Sequence, residues 1–208
     1  MRRELRPALT LLALFTVLCG GIYPTLITGA AQLFFPDRAN GSLVLRDGHP
    51  VGSALIGQSF TAREYLWGRP SATTPMPYDA AASRGSNLGP TNPALADSFG
   101  ARAAHLRATN PDATGPIPVE LLTASASGLD PDLSPAAAAW QASRIARARG
   151  VPTARVRSLI AGQIRRPLFG FAGEPTVNVL QVNLALDSAF GAPPPIGYRP
   201  LTRRSGAR

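Results

Sequence analysis

From Ala8 to Phe35 the chain reads ALTLLALFTVLCGGIYPTLITGAAQLFF, without one Asp, Glu, Lys or Arg. After it, hydrophobic positions come in short runs broken by Gly, Pro and Asn. A helix crosses the hydrocarbon core of a bilayer in about 20 apolar residues, so this run can cross with tilt. A helix packed in a soluble domain carries a polar stripe at helical spacing. Here the clearly polar side chains are Thr10, Thr16, Thr25, Thr28 and Gln32, and threonines bond back to their own helix. Ala8, Leu14, Cys19, Pro24 and Phe35 mark the expected span, with membrane lipid as its surroundings. Pro24 removes a helical hydrogen bond, and with Gly20-Gly21 before it predicts a kink or a close-packing face for partner helices. Two other readings compete. One is a cleaved signal peptide, suggested by basic Met1–Arg6 and the small residues at Thr28-Gly29-Ala30-Ala31, although the run exceeds an h-region of about 7–15 residues. The other is a lipid anchor at Cys19, against which stands Leu18 where a small residue is wanted.

Charge then sets a direction. Arg2, Arg3 and Arg6 precede the span against Glu4, whereas Asp37 and Arg38 cancel after it. The positive-inside bias places the N-terminus in the cytoplasm and everything after Phe35 outside, as a single-pass protein of the inner membrane. The expected organisation is a membrane anchor over 1–36, one soluble accessory domain over 37–190, and a Pro- and Arg-rich disordered tail over 191–208. The expected fold class is α+β: one transmembrane helix followed by a single mixed extracytoplasmic domain.

Within that domain, Ser42–Arg46 and Val51–Leu55 flank Asp47-Gly48-His49-Pro50 as a β-hairpin, with the second strand free to run on to Phe60. A long Pro-, Ser- and Gly-rich loop follows from Gly68 to Thr91, and loops of that length are often functional. Asn92 and Pro93 open a helix that buries Leu95, Phe99 and Leu106. Val119–Leu122 reads as a short strand leading into Thr123–Asp130. Ser134 caps a helix that Gly150 closes, with Trp140, Arg144 and Arg147 on one face as a cation–π stack or an exposed basic stripe. A helix over Pro152–Ile164 turns in Val156, Leu159, Ile160 and Ile164. Val177–Leu186 reads as a strand with a bulge near Val179-Leu180. Asp130 and Asp132 lack the ligand pattern of a calcium loop and read as turn residues.

Composition narrows the chemistry. Net charge is +9, from 21 basic and 12 acidic residues, but every basic residue is Arg, and Ala and Pro are also abundant. That bias is compositional, so the charge is not evidence for nucleic acid. Without Lys there is no Walker-A or Schiff-base lysine. Cys19 is the single cysteine, so the domain folds without disulfides and no thiolate metal site is expected. His49 and His105 are the only imidazoles, and no triad or nucleophile elbow is evident. No catalytic residue, metal ligand or cofactor of its own is expected. The leading reading from residues alone is a membrane-anchored accessory subunit. The alternatives are an anchored extracytoplasmic binding or hydrolase domain, and an anchored helix-turn-helix regulator whose helices the charge rule places away from DNA.

The order of segments resembles a known family. Phe34-Phe35-Pro36 after a single span, Gly52–Phe60, Gly68-Arg69-Pro70-Ser71 and Gly85-Ser86-Asn87-Leu88 are similar to the C subunit of the bacterial Kdp potassium-transporting P-type ATPase. So are Leu122–Pro131, Ser134–Gln141 and Gly173–Asp187. The resemblance reaches to about Phe190, and Gly191–Arg208 extends beyond the usual family end. It implies a non-pumping subunit of an ATP-driven potassium importer, partnered by a channel-like subunit and a P-type ATPase subunit. The family's C subunit is described as a catalytic chaperone that raises the ATPase subunit's affinity for ATP, so ATP is an implied shared cofactor. The Gln proposed as its nucleotide contact has no counterpart at Arg165-Arg166-Pro167, and an outside domain would not meet cytosolic ATP. The surfaces expected to meet partners are the span, the Gly68–Thr91 loop and Thr123–Asp130, with Arg69, Asn87, Ser125, Ser127 and Asp130 as contact candidates.

Overall fold

The computed structural model describes residues 2–167 and 169–193. Leu168 and the expected tail beyond Pro193 lie outside the described residues. The chain divides into two compact units, Met1–Leu55 and Ile56–Arg208, and the fold is α+β.

In the first unit, α1 (Arg2–Val17) passes through a π turn (Leu18–Ile22) into α2 (Tyr23–Phe34). The helical stretch Arg3–Phe34 is 32 residues with a mean hydropathy of 1.9 in its most apolar window, and none of that window is buried. At 1.5 Å per residue it is about 48 Å long, enough to cross a bilayer core. Ala8, Leu14, Cys19 and Pro24 lie in it, and Phe35 caps its end. At the place of the expected kink or close-packing face, the helix carries a π turn: Tyr23 N–H reaches back five residues to the Leu18 carbonyl, just ahead of Pro24. Thr10 and Thr25 donate to the carbonyls of Arg6 (2.9 Å) and Gly21 (2.8 Å), so neither hydroxyl is unsatisfied in lipid.

A short α3 (Pro36–Ala39) leads to a hairpin of β1 (Leu43–Arg46) and β2 (His49–Ser53). The turn is tighter than expected. Asp47 (φ 52°) and Gly48 (φ 78°) both take left-handed backbone and close it alone, as a type I′ turn requires. His49 and Pro50 therefore join the strand, and Pro50 sits opposite Leu45 at a bulge. The strand does not run on past Ser53: Gly57 N–H donates instead to the Leu129 carbonyl.

The second unit opens with a long irregular segment and α4 (Pro93–Thr109), capped by Asn92. Leu106 is buried, with Leu95 and Phe99 half-buried, as the spacing predicts. Val119–Leu121 is a 3-10 turn rather than a strand. Then come β3 (Asp132–Leu133), α5 (Pro135–Trp140), α6 (Ala142–Arg149), α7 (Thr153–Gly162), β4 (Ile164–Arg165), β5 (Thr176–Asn178) and α8 (Val179–Phe190). The expected helix from Ser134 to Gly150 is interrupted at Gln141. The strands form a small antiparallel sheet in the order β3-β5-β4, with Leu133 and Ile164 both opposite Val177.

The expected strand over Val177–Leu186 is a correction. Only Thr176–Asn178 is extended; Asn178 then accepts from Gln181 N–H and starts α8. The apparent bulge at Val179-Leu180 is the first turn of that helix. Its buried residues are Val179, Leu180, Val182, Asn183, Leu186 and Asp187, a helical stripe that wins over the β-propensity of the valines. The core gathers Leu133, Ala137, Ala138, Ile145, Val156, Val177, Val182 and Leu186 from sheet and helices together.

Candidate functional site

Several buried polar side chains hold one irregular stretch of backbone, Arg63–Trp67. A segment outside a sheet has no strand to satisfy its N–H and C=O groups, and buried ones must find partners elsewhere. Asn183 on α8 supplies both for Leu66, accepting from its N–H (2.7 Å) and donating to its carbonyl (3.0 Å). Gln141, between α5 and α6, does the same for Trp67 at 3.0 Å each way. Two side-chain amides thus stand in for a neighbouring strand.

Arg144 completes the clamp. It is 2% exposed and donates to the carbonyls of Arg63 (2.6 Å) and Tyr65 (2.9 Å), to Gln141 Oε1 (2.6 Å) and to Asn110 Oδ1 (3.0 Å). Its Cζ lies 3.9 Å from the Trp67 ring centroid. Burial lowers its pKa to about 9, with Glu64 opposing that shift and Arg63 adding to it, so it stays charged at neutral pH. The sequence expectation of a stack with Trp140, or of an exposed basic stripe, is therefore corrected. Arg144 stacks on Trp67 from a distant segment, Trp140 receives Arg107 (6.0 Å), and Arg147 pairs with Asp112 at the surface. One turn on, Arg149 pairs with Asp187 at 2.9 Å with both side chains nearly inaccessible, and donates to the Glu64 carbonyl. Tyr65 Oη donates to the other oxygen of Asp187.

Two of the expected contact segments lock onto each other. Arg69 and Asp130 form an ion pair at 3.0 Å. Ser125 is buried and its N–H donates to the Pro70 carbonyl (3.3 Å). The Ser127 carbonyl accepts from Arg84 N–H and Ser83 Oγ, while its own hydroxyl accepts from Leu129 N–H. Ser71 Oγ donates to the Gly128 carbonyl (2.7 Å). The Gly68–Thr91 loop and Thr123–Asp130 are thus one continuous surface. Asn87 stands apart from these bonds, exposed and in left-handed backbone (φ 53°).

Tyr78 is the keystone of this surface. Its hydroxyl donates to the Arg69 carbonyl (2.5 Å), and its N–H to Ser71 Oγ. The ring presses so close to Gly57 and Gly68 that a Cβ on either would come within 2.4 and 2.6 Å of it. The role of the two glycines was not legible in the sequence, though Gly68 follows directly on the clamped segment. Beside them a cavity of about 550 Å³ adjoins a second of about 350 Å³, and both touch Trp67, Arg102 and His105. Trp67 and His105 stack with centroids 5.5 Å apart. Among the described residues no group of three or more His, Cys, Asp or Glu could hold a metal.

The model of the KdpC family, described as K+-transporting ATPase, c chain, matches residues 5–188. This chain belongs to the KdpC family. The potassium-transporting ATPase KdpC subunit of Polaromonas naphthalenivorans is 58% identical over 188 residues, covering 90% of this chain and 96% of that one. The protein of the same name from Variovorax paradoxus is 56% identical over 192 residues, 92% of this chain and 100% of its own. That of Sorangium cellulosum is 56% identical over 189 residues, 91% and 100%. As a KdpC chain, the protein is an accessory subunit of a K+-transporting ATPase rather than its catalytic one. The absence of Lys agrees, since the D-K-T-G phosphorylation motif of P-type pumps needs one.

Proposed function

We propose that this chain is retained in the inner membrane by its one apolar helix, N-terminus in the cytoplasm, and steadies a potassium-importing complex from outside. Its partners are the channel-like potassium subunit and the P-type ATPase subunit of that complex. The observation that carries the reading is the Arg3–Phe34 helix, whose most apolar window has a mean hydropathy of 1.9 and is not buried by the chain itself, in a member of this family. Such a helix needs lipid or other helices around it. The flanking arginines supply its direction.

The interlocked surface of Gly68–Thr91 and Thr123–Asp130 is the proposed docking face. Its bonds are internal and its loops are held rigid, so little ordering entropy is lost on contact. Arg69, Ser125 and Asp130 shape this face from within, while Asn87 and Ser127 present outward. In this topology the domain does not meet cytosolic ATP. A chaperone effect on the ATPase subunit would then act through subunit contact and not through a nucleotide held by this chain.

The deciding experiment is cysteine labelling in intact spheroplasts. With Cys19→Ala as background, Ala154→Cys places a thiol at an exposed position of α7. A membrane-impermeant maleimide is expected to label it without permeabilisation. Labelling only after permeabilisation would reverse the topology. Affinity capture of the full chain in mild detergent is expected to bring down two large transporter subunits, and their absence would reject the partnership.

A further inference from the structure

The two adjoining cavities of the second unit differ in character. The larger, about 550 Å³, is edged by Arg63, Arg69, Ser59, Thr61, Ser71 and Tyr78. The smaller, about 350 Å³, is walled by Ala101, Leu106 and Leu121. Trp67, Gly68, Pro70, Arg102 and His105 are common to both. Among the described residues, no Asp or Glu lines either lobe. One lobe is polar and basic, the next apolar, and their sizes suit a small organic ligand.

The cations at this rim are not all matched among the described residues. Arg69 is paired with Asp130. Arg102 donates to the Leu122 carbonyl (2.6 Å), a neutral acceptor, and forms no ion pair among the described residues. Burial lowers the Arg102 pKa, as befits a partly desolvated cation without a counter-ion. The Arg63 guanidinium has neither a hydrogen bond nor an ion pair among the described residues, although its own carbonyl is held by Arg144. The walls are fixed in advance. Trp67 is held by Gln141 through its backbone and by Arg144 across its ring, and its indole N–H donates to the Ala62 carbonyl.

We infer that this two-lobed cavity binds an organic anion. Arg63 and Arg102 take its carboxylate or phosphate oxygens, and its small apolar body packs against the Trp67–His105 pair and the wall of Leu106 and Leu121. Guanidinium forks suit planar or tetrahedral oxyanions, and a charge-assisted bond in a partly dry site is strong. A soluble phosphate ester and the headgroup end of an anionic lipid share this chemistry.

The test is a titration of the full chain in non-ionic detergent with phenyl phosphate, read by tryptophan fluorescence. Trp67 is the reporter, and Trp67→Phe is expected to abolish the response. The expected result is saturable binding with a Kd of about 1 mM or below. Phenol, the same ring without the charge, is expected to bind at least about tenfold more weakly. Arg63→Gln is expected to weaken phenyl phosphate about tenfold with an unchanged circular dichroism spectrum, because its side chain supports no other residue. Arg102→Gln is the second variant. Dihexanoyl phosphatidic acid competing better than phenyl phosphate assigns a lipid source, and competing worse assigns a soluble ester; either supports the inference. No saturable response, equal response to phenol, or unchanged affinity in both arginine variants would overturn it.

Discussion

Arg144 lies over Trp67 with its Cζ 3.9 Å from the ring centroid, and the same guanidinium donates to the carbonyls of Arg63 and Tyr65, just before Leu66, and to the Gln141 side chain that holds the Trp67 backbone. Its acceptors are neutral, so geometry rather than charge pairing holds it. A lysine offers a point charge on a different stem and cannot reproduce a planar fork. Arg144→Lys is therefore expected to destabilise the second unit by about 3 kcal/mol, since buried carbonyls and Gln141 lose their donor. Arg147→Lys, at an exposed ion pair with Asp112, is expected to cost less than about 1 kcal/mol. Thermal unfolding of the two variants side by side checks the contrast; equal losses would show that the clamp is not special.

Asn183 closes the other side of the clamp. Asn183→Leu keeps the volume roughly constant but strands the N–H and carbonyl of Leu66, which is 0% exposed. Leaving both unpaired is expected to cost about 2–4 kcal/mol. Hydrogen exchange at the Leu66 amide gives a local readout, with protection falling well before that of α7.

How far the sequence led depends on how far apart the interacting residues lie. The long apolar N-terminal helix, the caps Asn92 and Ser134, and Gly150 in left-handed backbone (φ 66°) are local signals, and the structure places each where its neighbours predicted. The helix over Val179–Phe190 was misread because valine favours strands and the alternation looked half right. Asn178 as a helix cap and the spacing of Val179, Val182, Asn183 and Leu186 were the better signals. The clamp was beyond reach. Asn183 meets Leu66 across 117 positions and Gln141 meets Trp67 across 74, and a lone Asn or Gln in a helix announces nothing. The contact candidates divide similarly. Arg69 and Asp130 turn out to be each other's partners, a pairing that residue type permits but spacing cannot reveal.

Gly68 and Tyr78 offer a test by compensation. A Cβ at Gly68 would lie 2.6 Å from the Tyr78 hydroxyl oxygen, with nothing else closer than 3.7 Å. Gly68→Ala is expected to cost about 1–3 kcal/mol through this overlap. Tyr78→Phe alone loses the bond to the Arg69 carbonyl, about 1 kcal/mol. Removing the hydroxyl also removes the obstacle, so the double variant is expected to be less destabilised than the sum by about 1 kcal/mol or more. Additive losses in a denaturation cycle would mean that the backbone, and not Tyr78, sets the limit at Gly68.

Tyr78 also carries a pH signature. Burial, reinforced by Asp130 and opposed by Arg69, pushes its pKa from 10.0 up to about 12. The unfolded chain releases this proton near pH 10.0 while the native state keeps it to about 12. In that window the native state binds more protons, so stability falls as pH rises and is complete only below the unfolded pKa. The background is favourable, because the chain has no Lys and only four Tyr. Arg144 works in the opposite direction: burial holds its native pKa at about 9, well below the ordinary arginine value, so its contribution to stability rises with pH above about 9. The comparison that isolates Tyr78 is therefore wild type against Tyr78→Phe. The wild type is expected to lose stability more steeply between pH 10 and 12, and the variant to lack the last step in tyrosinate absorbance. Parallel stability curves would show that the Tyr78 hydroxyl is not held as the structure holds it.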